Sequence, residues 1–109
     1  MKGFSQIIKK AQQMQAEIAR IKEELGHQTV EATAGGGMVK VVANGRGEVV
    51  SVVVDPEIVD SSDLEMLQDL ICAGVNEALR KVQALEAEEM QKFSSGLGLP
   101  GNLTGLFGM

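Results

Sequence analysis

The chain has 109 residues, 44% of them hydrophobic, with no Trp or Tyr, three Phe and a formal charge of −5. That length predicts one small domain whose core comes from Val, Ile, Leu, Ala and Met, and such a core often needs a second chain to complete its burial. A single Cys excludes an internal disulfide and leaves no cysteine set for structural zinc, so nothing suggests secretion. The start, MKGFSQIIKK, has no apolar run of signal-peptide type, and no stretch approaches a membrane span, so a soluble cytoplasmic protein is expected. Charge is uneven: residues 1–26 carry +2, residues 27–54 are neutral, and residues 55–109 carry −7. Overall acidity counts against nucleic-acid binding, and only the first segment leans the other way.

In chain order, Phe4, Ile7, Ala11, Met14, Ile18, Ile21 and Leu25 alternate steps of three and four. They form the narrow apolar seam of a helix about 36 Å long, of the kind that zips to one other helix. Gly26 is expected to stop it. Residues 28–34, 38–44 and 47–55 read as three strands of an antiparallel meander. The segment MVKVVAN places Val39, Val41 and Ala43 on one face and Met38, Lys40 and Val42 on the other. EVVSVVV is apolar on both faces, which predicts cover on two sides: the domain's helices on one, a second subunit on the other. A loop follows, and Ser62 with Glu65 forms a capping box that opens a second helix. That helix carries Leu64, Leu67, Ile71, Val75, Ala78, Val82 and Leu85 on one side, and its stripe fades near EAEEMQKF. Residues 94–109 hold no charge and five glycines; they read as a flexible Gly/Leu-rich tail to a single domain over residues 1–93. The expected class is α+β, in the order α-β-β-β-α.

The sequence offers little foothold for catalysis. AGGGM and NGRG frame a strand with a lysine in it, but a phosphate-binding loop needs a Lys-Ser/Thr pair and a following helix, and neither is present. Both glycine clusters read as turns, with Asn44-Gly45 supplying the positive φ of a tight hairpin. His27 stands alone, Cys72 reads as a small buried hydrophobe, and Asp60, Ser62 and Asp63 have a simpler use before a helix. The expectation is a non-enzyme with no metal site and no cofactor. Lys2, Lys9 and Lys10 lie near the start of the first helix, outside its seam, with Glu17, Glu23 and Glu24 further along. This reverses the order that the helix dipole favours, and it gathers positive charge and free N–H groups at one tip.

IIKKAQQMQAEIARIKEEL, GGGMVKVVANGRGEVVSVVVDPEIV and LEMLQDLICAGVNEALRKVQALEAEEMQK together resemble the YbaB/EbfC family of bacterial nucleoid-associated DNA-binding proteins. The G-M-V-K-V run followed by N-G and D-P is the most specific part. The resemblance implies a homodimer joined through its sheets, with the long helices projecting as arms. It also implies binding of duplex DNA in the cytoplasm and nucleoid, with neither membrane nor small-molecule substrate as a partner. It places DNA contacts on the first and last helices: Lys2, Lys9 and Lys10, with Lys92 arriving nearby if the helices run antiparallel, and then Arg20, Lys22, Arg80 and Lys81. Lys40 and Arg46 match the central motif, where basic residues serve structure. The alternative is a dimeric adaptor that binds replication or recombination proteins through its arms and tail.

Overall fold

The computed structural model describes residues 2–96, with the side chain of Lys2 outside the description. Helix α1 spans Lys2–His27, strands β1, β2 and β3 span Thr29–Ala34, Val39–Asn44 and Val49–Val54, and helix α2 spans Leu64–Gly96. A single 3-10 turn, Pro56–Ile58, lies in the β3–α2 connection. The sheet is antiparallel with β2 in the centre, as the alternating pattern and the two short glycine connections predict. Residues 97–109, most of the expected tail, fall outside the described residues. The expected boundary at residue 93 falls inside α2, and Ser94 there is buried.

Two apolar clusters hold these elements together. Val39, Val41 and Ala43 of β2 and Ala32 of β1 pack against Ala78 and Val82 of α2, joined by Leu70, Ile71 and Val75. The approach is close because residue 74 is glycine: a Cβ there would stand 2.9 Å from Val41 Cγ2. Away from the sheet, Ile21 and Leu25 of α1 bury against Phe93, flanked by Met14, Ile18 and Leu85. The middle of α1 therefore meets the end of α2, and the two helices run antiparallel as a two-helix arm. The molecule measures 73 × 23 × 17 Å with a radius of gyration of 19.6 Å, against about 13 Å for a compact chain of 100 residues.

Several local expectations need correction. Helix α1 continues through Gly26 to His27. Gly26 is no left-handed cap; a Cβ there would overlap the Arg46 guanidinium, which lies across the carbonyl end of α1, where a cation suits the helix dipole. In the β2–β3 turn the left-handed residue is Gly47, at φ +87°, rather than Asn44 or Gly45. Gly47 N–H donates to Asn44 O and Asn44 N–H to Glu48 O, a three-residue hairpin loop closed by a left-handed glycine. Gly45 is needed for room, since a Cβ would overlap the Leu25 carbonyl that accepts its N–H. The α2 cap is Asp63, whose Oδ1 accepts from Met66 N–H at 3.2 Å. Ser62 instead donates its N–H and hydroxyl to Asp60 at 2.9 and 2.7 Å, and these bonds hold the Asp60 carboxyl below the usual range. Cys72, expected to be buried, is exposed, because it points away from the strip of α2 that meets the sheet. Phe93, where the α2 stripe reads as fading, is a core residue.

The largest departure is β3. Val49, Val50, Val52 and Val53 are 41–57% exposed, so the described residues leave most of this strand uncovered, and only Val54 at its end packs against the core. Helix α2 lies over β1 and β2, and β3 forms an uncovered edge. Val50 is a bulge residue: the pairing steps from Val42 opposite Ser51 to Ala43 opposite Val49.

Candidate nucleic-acid interface

The basic residues of the two helices fall into two classes, and neighbouring carboxylates decide which. Arg20 is an exposed side chain clamped along α1 by Glu17, one turn before it, and by Glu24 at 2.5 Å, one turn after it. The Arg20 hydrogen bond holds the Glu17 carboxyl below its ordinary range, and the arginine is raised further above its own. Arg80 bonds Glu77 at 2.6 Å. Lys92 lies 3.5 Å from Glu89 and 3.9 Å from Glu88. Lys81 has a different employment: its Nζ donates to the Glu31 carbonyl at 2.7 Å. That bond reaches from α2 to the outer edge of β1 and satisfies a carbonyl that would otherwise invite another strand.

Lys9, Lys10 and Lys22 form no ion pair within the described residues and are exposed. Lys9 and Lys10 lie within the first third of α1, toward the tip of the arm, while Lys22 lies toward the sheet. Lys2 is the first residue of α1. The antiparallel pairing brings Lys10, Arg20 and Lys92 to one groove between the helices, together with Glu17, Glu89 and Phe93. Arg80 and Lys81 are not part of it. Lys40 pairs with Glu31 at 3.4 Å on the sheet face away from the helices, and Arg46 lies against the end of α1. Sequence spacing shows which residues share a helix face, but not which lysine a carboxylate one turn away will hold, since those rotamers are set residue by residue.

No group of three His, Cys, Asp or Glu side chains among the described residues is placed to hold a metal ion, and no described helix is long and apolar enough to cross a membrane. What remains is an extended two-helix arm with unpaired lysines toward its tip and a sheet with an uncovered valine edge. The model of the YbaB/EbfC DNA-binding family matches residues 1–97. The chain belongs to that family. It is 56% identical over 99 residues to a nucleoid-associated protein of Thermoanaerobacter pseudethanolicus, covering 91% of this chain and 89% of that one. A nucleoid-associated protein of Syntrophobacter fumaroxidans is 53% identical over 107 residues, covering 97% and 96% of the two chains. The crystal structure of an uncharacterized protein from Helicobacter pylori matches the fold with a TM-score of 0.71 at 27% identity, over 78% of this chain and 89% of that one. The YbaB/EbfC resemblance read from both helices and the central motif therefore holds over nearly the whole chain.

Proposed function

We propose that this YbaB/EbfC chain is a non-enzymatic nucleoid-associated protein that binds duplex DNA as a homodimer, mainly through phosphate contacts from its helical arms. The observation that carries the reading is the division of the arm's cations. Carboxylates already occupy Arg20, Arg80 and Lys92, whereas Lys9 and Lys10 lie exposed, with no ion pair among the described residues, about two turns along α1 from its first residue. A phosphate approaching this part of the arm meets cations that need no partner exchanged. The net charge of −5 does not oppose this, because charges much more than a Debye length of about 8 Å from the tip are largely screened. The uncovered valines of β3 support the dimer: a second copy on this edge removes apolar surface from water in both chains.

The test is binding to duplex DNA across a salt series. Changing Lys2, Lys9 and Lys10 together to Ala should weaken binding similarly for unrelated sequences, since phosphates position a protein without specifying bases. The slope of log affinity against log salt should shrink by about 0.9 per lost contact. The Lys40→Ala, Arg46→Ala control should keep its slope. An unchanged slope in the triple variant would move the site off the tip, and weak, salt-insensitive binding by the wild type would favour the adaptor reading.

A further inference from the structure

The described residues use only half of the α1 seam. Met14, Ile18, Ile21 and Leu25 pack toward α2, whereas Phe4, Ile7 and Ile8 are 61%, 67% and 44% exposed, and Ala11 is exposed too. At about 100° of turn per residue, these four side chains share an arc of about 100° over about 10 Å of helix. Lys10 lies beyond one border of the arc, next to Ile7, and Lys9 beyond the other. Neither lysine has an ion-pair partner among the described residues, and both are exposed. The tip of the arm is thus an apolar edge with a free cation on each flank.

We propose that this edge is a wedge for duplex DNA: Phe4 and Ile7 enter the minor groove and part a base-pair step, while Lys9 and Lys10 hold phosphates on either side. The inference rests on the reading of the arm as a DNA site and adds a contact with the bases to it. Charge selects the occupant. No acidic residue precedes Glu17, so a second copy packed tip to tip would gather unpaired lysines, whereas a polyanion neutralises them. The stripe and the two lysines also share the same turns of α1, so phosphates held on the flanks bring the apolar edge against the duplex. Chemistry selects the groove. These four side chains have no donor or acceptor with which to read the major-groove pattern, and apolar wedges between base steps are how Phe and Ile act in the minor groove. Size then sets the consequence. A helix about 10–12 Å across does not fit a minor groove about 6 Å wide, so entry requires the groove to open. Insertion of the ring opens it and bends the duplex by about 20–90°. TA and CA/TG steps part most readily, so binding favours them without a hydrogen bond to any base.

The test uses the full chain and a short duplex of repeated TA steps. A fluorescent adenine analogue, quenched by stacking, replaces one central adenine, and a dye pair at the duplex ends reports bending. At saturation the native protein should raise the analogue's emission several-fold and bring the ends together. The Phe4→Ser, Ile7→Ser chain should melt as the native one does, because both core clusters lie elsewhere. Its salt slope should be unchanged, since no phosphate contact is lost, but its affinity should fall several-fold and the saturated duplex should stay stacked and straight. Phe4→Leu alone should keep most of both signals. Native protein that binds with a steep salt slope yet leaves the duplex stacked and straight overturns the wedge and leaves the phosphate reading standing. A native chain that does not bind DNA overturns both. A Phe4→Ser, Ile7→Ser chain that unstacks and bends DNA as the native one does also overturns the wedge. So does a lower mass for that chain in DNA-free sedimentation, which would assign the stripe to a second copy.

Discussion

Glycines 45, 47 and 74 are each required for a different reason, and the difference predicts different outcomes. Gly47 sits at φ +87°, where a Cβ is strained, so Gly47→Ala should destabilise by about 1 kcal/mol or more with no packing change. Gly45 faces the Leu25 carbonyl backbone, which cannot give way as a side-chain tip can. Gly45→Ala should therefore cost about 1–3 kcal/mol and loosen the α1–hairpin junction. Gly74→Ala is the closer contest. Helix propensity gains about 1 kcal/mol, and overpacking against Val41 costs about 1–3 kcal/mol, so the net loss should be smaller than at Gly45. Urea denaturation of the three variants tests the order. The carboxylates respond to acid in a defined direction. Glu17 and Asp60 are held below their ordinary range by Arg20 and Ser62. Whatever they contribute is complete above the unfolded carboxylate range and is lost as pH falls through their depressed folded values. Helix content of the α1 segment around Arg20 should thus persist through mildly acidic pH, which circular dichroism checks.

Among the elements, α1 depends on one aromatic more than on its own seam. Phe93→Ala removes the buried side chain that Ile21 and Leu25 pack around. It should cost about 3 kcal/mol and speed amide exchange over residues 14–25 more than in β2. The periodicity of α1 was legible, but its partner was not. Seven seam residues say that a helix is wanted on one side; they do not say that α2 supplies it only as far as Met14. Phe93 was hard to find because the acidic stretch over residues 86–89 surrounds the last turns of the stripe. The step of four from Leu85 to Glu89 and again to Phe93 was the available signal. Lys81 shows a similar gap at β1. Its sequence neighbours make it an ordinary helix cation, whereas the fold uses it on a strand edge 50 residues away. Lys81→Met should lower stability by about 1 kcal/mol through that lost hydrogen bond. It should leave the salt slope of DNA binding unchanged, because the ammonium is engaged at the sheet.

For the whole molecule, the proposed dimer and the proposed DNA site are separable. Sedimentation equilibrium at micromolar concentration should give twice the chain mass of 11.6 kDa. Val53 is exposed in the single chain and lies opposite Lys40 on the face away from the helices. Val53→Glu should therefore leave the secondary structure intact and yield a monomer, since a charge on that face would be desolvated at the interface. A folded monomer that binds DNA with roughly half the salt slope would show that each arm acts alone and the dimer doubles it. A Val53→Glu chain that remains dimeric would move the interface off β3.

The order α-β-β-β-α was settled locally, because strand alternation, glycine turns and helix periodicity are properties of neighbours in sequence. The two helical segments and the strand region between them, with G-M-V-K-V, N-G and D-P as its most specific part, were enough to suggest the family. Tertiary structure decided what no local pattern contains. It set which side of α2 meets the sheet, so that Gly74 is close-packed and Cys72 exposed. It left β3 bare, because α2 covers only β1 and β2. It also sorted the candidate cations by the partners that folding brings beside them, since charge alone does not say which lysine remains available to a phosphate.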